Sequence, residues 1–167
     1  MTGWDVWECT HVGGDRFAAN MVVLPTGDMF GRLDADTAPD VLTAYAAGRL
    51  LAEHHRGRSG TTPVEQAVTA LVAREMSDDR HGAVIIGPTR QVSPRVLAGR
   101  NLLAVGAVPD EMWEAAVVHA GTGYVSRIGA CWAPPARLQC SGGPAVRARR
   151  FALESLALIR PERLVPR

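Results

Sequence analysis

Pro25-Thr26-Gly27-Asp28, set between the apolar runs Ala19 to Leu24 and Met29 to Leu33, is the feature that most limits how this chain can fold. Proline ends the first run, and glycine accepts the positive φ that a tight reversal needs. Two short strands joined as a hairpin are expected. Trp4 to Thr10 is apolar and aromatic enough to form a further strand in front of them. After the hairpin a helix is expected from about Pro39, with Val41, Leu42, Tyr45, Ala46 and Leu50 along one side and Asp36 or Thr37 as its cap.

His54-His55-Arg56-Gly57-Arg58-Ser59-Gly60 is polar and punctuated by glycine, which reads as a loop. The next helix has a well-marked start. Thr62 is placed to cap it, Pro63 fits the first helical position, and Glu65 stands three residues after the cap. Its stripe is Val64, Val68, Leu71, Val72 and Met76, a spacing that fits a helical turn. Further on, Ala83 to Ile86 is a candidate strand, Pro88, Pro94 and Gly99 interrupt the stretch after it, and Leu102 to Val108 is a short apolar run. Glu114 to Val118 and Tyr124 to Trp132 are expected to be strands around the turn His119-Ala-Gly-Thr-Gly. Ser141-Gly-Gly-Pro144 is expected to open a last helix to about Ile159, with Val146, Phe151, Leu153, Leu156 and Ile159 as a partial stripe. Without a repeat or a long linker, the expectation is one domain over residues 1–167, ending in a tail at 160–167.

Composition narrows the chemistry. All 18 basic residues are arginine, which excludes the phosphate-loop lysine, Schiff bases and Ser-Lys dyads. Three cysteines are too few for a disulfide scaffold or for a four-cysteine metal site built from this chain alone. No apolar run approaches the roughly 18 residues that span a membrane, and Met1-Thr-Gly-Trp-Asp does not begin like a signal peptide. A cytoplasmic protein with reduced thiols is expected. The net charge of +1 hides an asymmetry, about +5 from Arg137 to Arg167 and about −4 before it. Without interleaved aromatic residues this basic end argues for a solvated face rather than a nucleic-acid surface.

Cys9, His11 and Asp15 form the densest group of ligand-type side chains, arranged around Gly13-Gly14. A glycine pair lets the backbone turn so that His11 and Asp15 converge, which suits a transition metal; a structural turn with a solvated Asp15 accounts for the same residues. Cys131 and Cys140, nine residues apart, are further candidate ligands, although Cys131 also reads as a small core residue. Arg56, Arg58 and Ser59 precede a helix start and form a candidate anion or partner docking loop. His54-His55 fits a helix C-terminus better than a metal pair, and His119 near Thr122 and Ser126 lacks the glycine-flanked serine of a nucleophile elbow.

The stretch Val6-Trp-Glu-Cys-Thr-His-Val-Gly-Gly-Asp-Arg-Phe-Ala-Ala-Asn20, continued to Gly31-Arg-Leu33, resembles the sucrase/ferredoxin-like family. Arg56-Gly57-Arg58-Ser59-Gly60 with Pro63, Val64 and Gln66-Ala67 resembles the family's continuation. The likeness is dense over residues 4–67 and thin over 68–159. It implies an α/β, partly thioredoxin-like fold of the [2Fe-2S] ferredoxin type, extended by an additional β-hairpin and a C-terminal helix. It also implies an electron carrier rather than an enzyme.

Cluster-binding members of that family carry histidine, three residues, histidine. His11 matches the first position, and Asp15 stands at the second. The family's cysteine ligands come from an earlier segment of the kind Cys-Thr-His-Gly-x-x-Asp-x-Cys-Cys, which has no counterpart here. The chain is therefore expected to correspond to the C-terminal half of a family member, unable to hold a cluster alone. A separate polypeptide with the missing half, or a second copy, would complete it, and a redox partner protein is a further expected partner. A cluster-free binding module is the competing expectation.

Overall fold

A computed structural model describes residues 3–10, 12–13, 17–94, 108–137 and 144–159. Among them the chain is an α/β protein with two antiparallel sheets, of three and four strands, and two helices. The described residues gather in two compact units, one drawn from Met1–Thr61, Asp79–His81 and Ala136–Val146, the other from Thr62–Asp78, Gly82–Pro135 and Arg147–Arg167.

In the first unit β1 (Met21–Val23) and β2 (Asp28–Phe30) form the expected hairpin, in the register Met21↔Phe30 and Val23↔Asp28. Gly27 turns the chain at φ +77. Asp34 starts α1 (Thr37–Ala46): its Oδ1 accepts from the amides of Asp36 and Thr37, whereas Asp36, at the cap position, makes no side-chain cap bond. The expected strand at Trp4 to Thr10 does not form. Val6 and Trp7 are exposed, and no described strand pairs with that segment. The segment expected to be a loop contains β3 (His55–Arg58), which pairs antiparallel with β2 through Asp28↔Arg58, Met29↔Gly57 and Phe30↔His55. Backbone hydrogen bonding to a waiting edge makes this polar stretch a strand. Val23, Phe30 and Val41 are the buried centre, with Trp4, Tyr45, Leu50 and Leu51 around them.

The second unit opens with α2 (Pro63–Glu75), whose capping box forms as expected: Thr62 accepts from the Glu65 amide, and Glu65 reaches back to the Thr62 amide. Val64, Val68 and Val72 lie on one stripe and pack on Ala115, Val117 and Ile128 of the sheet. That sheet runs in the order β4 (Val84–Val92), β5 (Glu111–His119), β6 (Thr122–Trp132), β7 (Arg149–Leu158), each strand antiparallel to the next.

Two expectations are corrected by this sheet. Pro88 does not stop β4; it sits in a register shift between Ile86 and Thr89 on an edge strand, where a missing amide hydrogen is tolerated. The last helix is instead β7, paired along its length with β6. The expected additional hairpin forms as β5 and β6, and with β4 and the strand that replaces the C-terminal helix it makes one four-stranded antiparallel sheet. Leu102 to Ala107 and Ser141 to Gly143 lie outside the described residues.

The other face of this sheet carries one charged row. Arg90, Glu114 and Arg127 are cross-strand neighbours on β4, β5 and β6, and both guanidinium groups bond the Glu114 carboxylate. Glu114 is buried, so the row pairs a charge that would otherwise be costly.

Candidate functional site

Asp28 ends the hairpin turn and begins β2 with its side chain inside the first unit, only 2% exposed. A carboxylate in that position needs donors, and four residues supply them. Tyr45 on α1 donates its hydroxyl hydrogen to Oδ2 over 2.8 Å. His81 Nε2 lies 2.9 Å from the same oxygen and His55 Nε2 3.1 Å from Oδ1. Arg58 Nη2 stands 3.5 Å from Oδ2. Thr26 Oγ1 is 2.6 Å from the Tyr45 hydroxyl. The Thr26 hydroxyl also donates to Val23 O over 3.1 Å.

Rings close the cluster. Phe30 meets Tyr45 edge-on at 5.8 Å and His55 at 5.4 Å, and Tyr45 meets His81 edge-on at 5.4 Å. Burial alone would raise the Asp28 carboxyl; the hydrogen bonds of Tyr45, His55 and His81 and the Arg58 charge outweigh it and hold the group below the usual carboxylate range. Burial pushes the His55 imidazole down, more than the Asp28 carboxylate lifts it. Burial, reinforced by the Asp28 charge, pushes the Tyr45 phenol up, so it stays a donor.

The segment before β1 borders this hairpin. Among the described residues on either side of Gly14–Arg16, Gly13 and Phe17 are both fastened. Asn20 Nδ2 donates to the Gly13 carbonyl over 3.1 Å. The Arg32 amide donates to Phe17 O, and the Leu33 amide to Ala19 O. Gly31 lies so close beneath that a Cβ there would stand 2.7 Å from Asn20 Oδ1 and 2.9 Å from Phe17 Cβ and O. The Arg56 guanidinium covers the Phe17 ring on one side, and Arg32 stands 5.5 Å from it.

His11, Asp15 and Cys140 lie outside the described residues. Cys9 is exposed before Thr10, and Cys131 is partly buried on β6; both are free thiols. Arg56 and Arg58 belong to β3, where Arg56 stacks on Phe17 and Arg58 turns to Asp28 and to His81 Nε2 at 2.7 Å. Ser59 follows them, its amide bonded to Gly27 O. His54 Nδ1 faces Gly31 O at 3.2 Å, and in the second unit His119 Nε2 bonds Asp78 over 2.9 Å.

A [2Fe-2S] centre takes four protein ligands. Among the described residues no three His, Cys, Asp or Glu side chains are grouped to hold a metal ion, so these residues by themselves do not fit the cluster. The Asp28 cluster is not anticipated by the sequence. Its members stand at positions 28, 45, 55, 58 and 81, and only their fold neighbours bring them together.

The fold and cluster define an α/β protein with two small antiparallel sheets, one carrying a buried carboxylate-histidine network. Compared with family models, curated proteins and solved structures, the chain matches none. No described helix is long and apolar enough to cross a membrane.

Proposed function

We propose that the chain is an electron-transfer protein of the sucrase/ferredoxin-like type, in which His11 and Asp15 meet further ligands supplied by a second polypeptide. In this reading the hairpin and α1 correspond to the C-terminal half of a thioredoxin-like ferredoxin. The observation that carries it is the fastening of Gly13 and Phe17. Gly13, between the family's two ligand positions, and Phe17, after the second, are tied to the ends of the β1–β2 hairpin by the Asn20 side chain, the Arg32 amide and the close approach of Gly31. Ligands that share a metal must be held within a fraction of an ångström, and anchoring of the residues around them serves that.

The test is a single substitution read in iron. Protein recovered anaerobically with its bound companions should carry iron and acid-labile sulfide, and His11→Ala should lose most of both. Retention of both by that variant overturns the assignment of His11. The second reading is a cluster-free binding module. It predicts no iron in either preparation.

A further inference from the structure

Gly3 to Thr10 has the composition of a strand and, among the described residues, makes no backbone hydrogen bond. Trp4 is anchored: it packs on the core of the first unit, 6.3 Å from the Tyr45 ring. Beyond it the side chains face water, with Val6 80% exposed and Trp7 85%. Two adjacent large apolar side chains on an unbonded extended backbone are what strand addition to an open sheet edge would cover. The segment is also acidic, carrying Asp5 and Glu8 and no basic residue.

The chain itself presents an edge that suits it. Among the described residues, β4 and β7 are the two ends of the four-stranded sheet. β4 is the poorer template, because Pro88 has no amide hydrogen and the register shifts there. β7 contains neither proline nor glycine, and Arg149-Arg150-Phe151-Ala152 lies before its register shift. Arg149 is held by Glu111 over 3.2 Å, whereas Arg150 is exposed. Phe151 is only partly buried against the core under α2. The edges in the first unit are shorter, three residues in β1 and four in β3.

An antiparallel alignment with Glu8 opposite Arg150 sets Trp7 beside Phe151 and Val6 beside Ala152. Cross-strand partners share a face, so opposite charges meet on one side and two aromatic rings on the other. Pairing two acidic segments with each other would instead gather four carboxylates.

We propose that Val6 to Cys9 of one copy of the chain adds as a strand to Arg149 to Ala152 of a second copy. Four residues on each strand make a small contact, so the association is weak and depends on protein concentration. It requires no metal and is independent of the electron-carrier reading.

Sedimentation velocity of the full chain at rising protein concentration tests this. The native protein should pass from monomer to larger species. Trp7→Ser should weaken the association about tenfold or more, as loss of a central tryptophan does at such contacts. Glu8→Arg and Arg150→Glu should each weaken it by a similar factor, and the two together should restore most of it. All three side chains are exposed, so the variants keep the fold. A chain that stays monomeric at every concentration overturns the proposal, even if a different protein covers Val6 and Trp7. Association that survives Trp7→Ser overturns the assigned strand, and a double variant no tighter than the single ones overturns the pairing of Glu8 with Arg150.

Discussion

Tyr45 donates to Asp28 Oδ2 across 2.8 Å, and this bond joins α1 to the first residue of β2. Removing the hydroxyl as Tyr45→Phe leaves the ring against Phe30 and Trp4 and deletes the contacts to Asp28 and Thr26. A hydrogen bond to a charged, buried acceptor contributes about 1.5 to 3 kcal/mol. Urea denaturation of the variant should show a loss in that range with an unchanged slope. A loss near zero would mean that water replaces the hydroxyl.

Acid should act on the same unit in two windows. His55 binds its proton more weakly folded than unfolded, so its contribution is complete above the ordinary imidazole value of about 6.5 and is lost as pH falls toward the folded value. Asp28 is held low, so its contribution is present above about 3.9 and is lost as pH falls through its folded value. Both terms have the same sign, and acid destabilises. Urea midpoints followed from pH 8 to pH 3 should fall in two stages, and His55→Gln should remove only the upper one.

Gly31 admits no side chain. Gly31→Ala sets a methyl group against Asn20 and against the Phe17 backbone, which cannot give way as a flexible side-chain end would. Overpacking of this kind costs about 1 to 3 kcal/mol. If the His11 to Asp15 segment carries metal ligands, the substitution should also lower the iron bound per chain. Wild-type iron content in a folded Gly31→Ala protein would separate the hairpin's packing from the ligand site.

Glu114 gives a contrast in the other unit. Glu114→Ala leaves the Arg127 guanidinium beside an emptied buried site, whereas Arg90, whose side chain is 74% exposed, returns to water. The loss should be about 2 to 3 kcal/mol, less than for a fully enclosed ion pair. Arg90→Ala should cost under about 1 kcal/mol. Thermal melts of the two variants, read at β-sheet wavelengths, check the order.

The features legible in the sequence are local ones. The Pro25 to Asp28 turn and the Thr62 to Glu65 capping box depend on residues within four positions of one another, and both form. β7 reads as a helix in the sequence because Leu153 and Leu156 stand three apart. A register shift explains it: Ile128 pairs with Leu153 and Arg127 with Ser155, so Glu154 is the extra residue and the alternation slips by one. β3 has no apolar pattern at all, since its state is set by the β2 edge. The Asp28 cluster is hidden for the same reason, with His81 standing 53 residues from its acceptor.

The visible absorption spectrum of the protein, isolated anaerobically with its bound companions from the cells that make it, bears most directly on the electron-carrier account. The account predicts iron–sulfur absorption that bleaches on reduction and disappears in His11→Ala. A colourless, iron-free preparation, unchanged after iron and sulfide are supplied together with those companions, would contradict it.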